Sequence, residues 1–139
     1  MEIINKYEIA EFLLRTFCGV IFLYQGYDKL FKVTISGVTE TFQEITQKHR
    51  IPQFFLKASA AFTSVVEFFG GLLLIVGLFK TAALTFLGID ILLVGIAFSM
   101  IDPVWDMRHV FPRLTMVFVL LVLPNEWEYL SLDYLFRSH

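Results

Sequence analysis

Residues 59–101 read SAAFTSVVEFFGGLLLIVGLFKTAALTFLGIDILLVGIAFSMI. Two apolar runs, 59–79 and 81–101, are joined almost directly through Lys80 and Thr81. Each reaches the roughly 20 residues that carry an α-helix across a hydrocarbon core of about 30 Å. A junction that short leaves one arrangement, a tight antiparallel hairpin of two membrane helices. Each run nevertheless contains an acid, Glu67 in the first and Asp90 in the second. A charge at bilayer depth costs at least roughly 2.5–3.5 kcal/mol, so such side chains face a bundle interior rather than lipid.

Outward from the hairpin, two further stretches have the same character. Residues 8–26 form a first apolar span that contains Glu8, Glu11 and Arg15. The apolar core of the last, 110–124, is short, but Asp102-Pro103 is a cap-and-first-turn signal that lengthens it. The expected fourth helix covers 103–123, contains Arg113 and kinks at Pro112. Trp105, Trp127 and Tyr129 then fall near the two membrane interfaces, where amphipathic aromatics prefer to sit. Between the first two spans, Val38, Phe42 and Ile45 make an apolar stripe opposite Glu40, Gln43, Glu44 and Gln47. That spacing predicts a short amphipathic helix at the bilayer surface or over the bundle. The fold class is therefore all-α: one domain, 1–139, built as a four-transmembrane-helix bundle with a short amphipathic helix between helices 1 and 2.

Composition agrees. Of 139 residues, 57% are hydrophobic and 17% charged, against about 45–50% and 25% in average proteins. A net charge of −2 without a basic block argues against nucleic acid as a partner, and the lipid bilayer is the partner expected. The single cysteine, Cys18, excludes an intramolecular disulfide, a CxxC redox pair and a thiolate zinc site. Phe17 and Arg15 are wrong for a cleaved signal, so the N-terminal segment reads as a retained helix. Lys29, Lys32, Lys48, Arg50, Lys57 and Arg108 lie in the first and third connections, against Lys6, Lys80 and Arg137 opposite. By the positive-inside rule the long connection is cytoplasmic and both termini are outside.

The four intramembrane charges Arg15, Glu67, Asp90 and Arg113 define the candidate site. Arg15, Gly19, Phe22, Gly26 and Lys29 recur at helical spacing along one face, and Glu8 and Glu11 extend it; Ala60, Ser64, Glu67 and Gly71 share another. From the side of the N-terminus, Arg15 lies roughly 10 Å deep, Asp90 about 13 Å, Glu67 roughly 18 Å and Arg113 about 15–21 Å. Depth matches Arg15 with Asp90 and Glu67 with Arg113; helix tilt would leave the exchanged pairing open. The cluster either clamps the helices, as a buried pair fixing register does, or forms a polar pocket for a ligand head group. His109 stands one turn before Arg113, and Asp106 one turn earlier, without a further ligand that would complete a metal site. His49 and His139 read as solvent-facing, and with no histidine deep in a span a bis-histidine haem is excluded. No nucleophile–base arrangement or phosphate-cradling loop appears.

Specific residues then resemble a known family. Arg15-x3-Gly19-x2-Phe22 followed by Tyr24-Gln25-Gly26-x2-Lys29-Leu30 is similar to the opening of the DoxX family of small four-helix membrane proteins. Glu67, Gly70-Gly71, the following leucines and Gly77-Leu78 resemble its second-helix signature, and Ser131-Leu132-Asp133 resembles the motif after its last helix. The family often has histidine where Gln25 stands. The resemblance implies a multi-pass protein of the cell membrane, the bacterial inner membrane, and a quinone-linked role beside a soluble or membrane oxidoreductase subunit. It carries no covalently bound cofactor, and a quinone is the cofactor to expect. The residues expected to meet the ligand are Arg15, Gln25, Lys29, Glu67, Asp90, His109 and Arg113. The competing reading is a non-enzymatic scaffold or small-solute permeation protein whose buried charges are structural. A homo-oligomer is compatible with either.

Overall fold

In the computed structural model, residues 4–47, 50–99, 108 and 110–138 are described. Helix α1 spans Lys6–Tyr27 and runs into a single π-helical turn, Asp28–Lys32. The amphipathic helix α2, Thr34–Ile45, follows, then α3, Gln53–Val76, and α4, Lys80–Ser99. The chain closes with α5, Phe111–Val122, a 3₁₀ turn, Asn125–Trp127, and the short α6, Leu132–Arg137. Among the described residues there is no strand.

Three segments, Lys6–Lys32, Gln53–Val76 and Lys80–Ser99, are long and apolar enough to cross a membrane; Phe111–Val122 is apolar but shorter. Helix α5 begins at Phe111, with Pro112 in its first turn and Val110 in a turn before it; the expected kink at Pro112 depends on a stretch that lies mostly outside the described residues. The rest of the expected span before Phe111, Arg108 and Val110 apart, lies outside the described residues, Trp105, Asp106 and His109 included, as do His49 and His139.

The helices form a ring. α1 packs on α3 and α5, and α4 packs on the same two, so α1 and α4 stand diagonally opposite. α5 runs antiparallel to α4: Gly95 meets Val110 at one level and Gly88 meets Val117 at another. The N-terminus, the α3–α4 turn and the C-terminal segment share one end, the near end, where Tyr7 stacks on Trp127 at 4.8 Å. The π turn, α2 and the start of α3 lie at the far end.

Periodicity decides which side chains face inward. α1 buries Glu11, Arg15, Cys18, Gly19, Phe22 and Gly26, the face expected from spacing. α3 buries Ala60, Thr63, Ser64, Glu67, Gly70, Gly71 and Leu74. The core includes Cys18, Phe22, Leu74, Leu84, Leu87, Ile91, Val117 and Leu120. The outward belt includes Leu13, Phe17, Phe69, Phe86, Ile96 and Phe118, which suit hydrocarbon. α2 turns Val38 inward, as its stripe predicts.

Contact between α1 and α3 is backbone to backbone. A Cβ on Gly71 would stand 2.7 Å from Gly19 O and closer still to the Leu23 nitrogen. Small residues at such a crossing let dispersion and weak polar contacts act at short range, the main source of helix association in lipid. Gly88 is different, because a Cβ there would meet Val117 Cγ1 at an ordinary 3.6 Å. Gly71→Ala should therefore cost about 1–3 kcal/mol, while Gly88→Ala should be neutral or slightly stabilising. Thermal unfolding of the two variants in one detergent checks this; equal melting temperatures would mean that the α1–α3 crossing is looser than described.

Candidate functional site

The inward-facing charges form two clusters. At the near end, Arg15 is fully buried, and each guanidinium nitrogen has a partner. Nε donates to Glu11 Oε1 at 3.0 Å. Nη1 donates to Leu74 O at 2.6 Å and Ile75 O at 3.3 Å, and Nη2 donates to Leu130 O at 2.6 Å. The local cause is the end of α3, whose last carbonyls have no helical donors. Gly77, left-handed at φ +69, ends the helix. Its N–H reaches Leu74 O at 3.2 Å while Leu78 N reaches Leu73 O at 3.0 Å, a Schellman ending. Arg15 supplies what that ending leaves over.

The C-terminal segment completes this end. Asp133 accepts from Phe79 N at 2.9 Å and Lys80 N at 3.0 Å, capping the start of α4. Its own N–H donates to Gly77 O at 2.9 Å. Lys80 is only 3% exposed and lies 2.6 Å from Glu128 and 3.6 Å from Glu11. Glu128 is itself buried, with Arg137 at 3.9 Å. The motif residues Arg15, Gly77, Ser131 and Asp133 thus converge on one joint.

The second cluster lies toward the far end. Lys29, on the π turn, reaches Glu67 Oε2 at 2.6 Å and Thr63 Oγ1 at 3.1 Å, two prongs one turn apart on α3. Arg113, from α5, stands 3.7 Å from Glu67 and donates to Gln25 Oε1 at 2.8 Å. Asp90, 1% exposed, projects from α4 to face the Thr63 hydroxyl, with Lys29 and Arg113 in electrostatic range. Five helical segments therefore deliver two acids, two bases, an amide and a hydroxyl to one spot. Asp90 Oδ2 has no hydrogen-bond partner among the described residues.

Beside this cluster lies a cavity of about 400 Å³ between α2, α3 and α4. Thr63 and Asp90 mark one end; Phe42, Phe55, Phe62, Leu93, Ala97 and Phe98 line the rest. The stretch of α4 from Asp90 to Phe98 makes the chamber roughly 12 Å long. Its size falls in the range of sites for small molecules, which are likewise mostly apolar with a few polar groups.

Of the expected residues, Gln25, Lys29, Glu67, Asp90 and Arg113 are brought together, and Glu67 meets Arg113 as depth matching predicts. Arg15 is not among them. The expected Arg15–Asp90 pair is absent, because the long arginine side chain points to the helix ends at the near end. Asp90 sits ten residues into α4, about 15 Å farther along the axis. Sequence reasoning does not single out Glu11, Lys80 or Glu128 as members of a site. The i,i+4 spacing of Glu11 and Arg15 is the available signal for the first; Lys80 reads as a turn residue until Glu128 is seen beside it. His109 lies outside the described residues.

The two clusters should respond differently to substitution. Arg15→Lys cannot replace a planar fork that serves three directions at once, so it should destabilise nearly as much as Arg15→Met. Glu67→Leu leaves Lys29 and Arg113 facing an apolar side chain and should cost about 3–5 kcal/mol, whereas Glu67→Gln keeps an acceptor and should cost less. Melting temperatures of the purified variants decide both comparisons. Near-native stability of Arg15→Lys, or equal losses for Glu67→Leu and Glu67→Gln, would contradict the geometry.

The DoxX family model matches residues 10–100, which take in most of α1, all of α2 to α4 and both acids of the far-end cluster. No curated protein matches the chain, and no solved structure does.

Proposed function

The chain belongs to the DoxX family, and on that premise we propose that it is a membrane subunit of a quinone-linked oxidoreductase system whose Lys29–Glu67–Asp90–Arg113 cluster holds a quinone head group. One observation carries this reading: two buried acids, paired with two half-buried bases, adjoin an apolar chamber of about 400 Å³. A head group needs polar partners at the chamber wall. Asp90 and the Thr63 hydroxyl stand there, held in place by Lys29, Glu67 and Arg113 behind them. An isoprenoid or alkyl tail needs an apolar channel, and the phenylalanine-lined chamber provides one. The chain's part is binding and orientation, and electrons pass through a partner oxidoreductase.

In this reading the protein lies in the bacterial inner membrane, and α5 belongs to a fourth crossing. The antiparallel course of α5 against α4 supports that, as does the return of the chain to Tyr7 and Glu11 at the near end. The scaffold reading is favoured for the near-end cluster alone, where every nitrogen of Arg15 is engaged by protein.

Replacing a buried pair by apolar residues of similar volume is tolerated when the pair serves only to clamp. Lys29→Met with Glu67→Leu should therefore yield a folded protein that has lost a quinone it otherwise retains through purification. Quinone content by extraction, together with the absorbance change on adding a short-chain quinone analogue, reads this directly. A folded double variant with undiminished quinone content would leave the scaffold reading.

A further inference from the structure

We infer that the chamber selects amphiphiles whose head donates a hydrogen bond, the hydroxyl-bearing hydroquinone or a phenol, over the carbonyl-bearing quinone. The inference rests on the reading of the far-end cluster as a head-group site and adds which chemical form that site holds. The polar end of the chamber is asymmetric. Lys29 is occupied by Glu67 and Thr63, at 2.6 and 3.1 Å. Arg113 is engaged by Gln25 and Glu67. The Thr63 hydroxyl, with a lone pair taken by Lys29, has its proton for Asp90.

The group left over at the chamber wall is an acceptor. Asp90 is 1% exposed and lines the cavity, and its Oδ2 has no hydrogen-bond partner among the described residues. A buried acceptor without a donor forfeits its solvation, and a ligand hydroxyl that fills it forms a charge-assisted bond, among the stronger kinds. A quinone carbonyl brings only lone pairs and would face the carboxylate oxygen acceptor to acceptor. From Asp90 the chamber continues for about 12 Å of α4 between Leu93, Phe98 and the aromatic residues of α3, which accommodates an alkyl tail.

The test uses the purified full chain in nanodiscs with three probes sharing one tail: a decyl hydroquinone kept under argon, the matching decyl quinone, and a para-decylphenol. A hydrogen bond to a charged group is worth enough that the hydroquinone and phenol should bind roughly tenfold or more tightly than the quinone. Asp90→Asn replaces an acceptor-only group with one that also donates, so the preference should vanish or reverse. Ala97→Trp, which fills the chamber away from the polar end, should weaken all three probes together. Equal affinity for hydroquinone and quinone, or a preference that survives Asp90→Asn, would overturn the inference and leave the quinone-linked reading in place. Binding of the phenol but of neither quinone form would keep the donor selectivity and remove the quinone. No binding by any probe would overturn both.

Discussion

The carbonyls that end α3 are the constraint on which this bundle turns. In water the last turn of a helix finds solvent; within a membrane every backbone polar group needs an internal partner. Gly77 ends α3 with a left-handed residue, and one guanidinium then serves Leu74, Ile75 and Leu130 together. That single group joins α1 to the hairpin and the hairpin to the C-terminal segment. Glu11 neutralises it from one turn away, Lys80 and Glu128 extend the network, and Asp133 secures the start of α4. Register at the near end follows from these contacts. The close glycine crossing of α1 and α3 then fixes how the same helices meet farther along.

The far end is built on the opposite balance. Its charges also pair, but they come from four separate elements rather than from a helix end that must be capped. A π turn, which occurs preferentially at functional sites, places Lys29. Thr34, in the left-handed region at φ +66, redirects the chain into α2, which forms one wall of the chamber. Arginine at the near end has its nitrogens engaged by protein; aspartate at the far end retains an open oxygen. The near end is thus closed by protein contacts alone, while the far end keeps a polar group beside a chamber.

Much of this is legible in the residues. Helical spacing identifies the buried faces of α1 and α3, the stripe of α2 and the tight hairpin, because those follow from a fixed period and a short junction. Depth counted along helix axes also places Glu67 opposite Arg113. It fails for Arg15, because axial counting locates Cα atoms while an arginine head acts several ångströms away. Lys80, Glu11 and Glu128 escape for a related reason. Their burial depends on the C-terminal segment, some fifty residues beyond Lys80, folding back over the hairpin, and no local pattern encodes that return. Asp133 can be seen as part of a motif but not as the cap of α4, since that helix starts some fifty residues earlier in sequence.

The pairing of Glu11 with Arg15 also bears on how the chain enters the bilayer. α1 leaves the ribosome before Lys80, Leu130 and Glu128 have been synthesised, so its two deepest charges arrive without their later partners. Unpaired, each would oppose insertion, by an amount that rises toward roughly 2.5–3.5 kcal/mol at the helix centre even on lenient scales. Set one turn apart and 3.0 Å from each other, they travel as a neutral unit within their own helix. Once the hairpin follows, the guanidinium keeps its carboxylate and gains the carbonyls of α3. The same four-residue spacing that secures the finished bundle lets its first helix wait in the membrane for the rest.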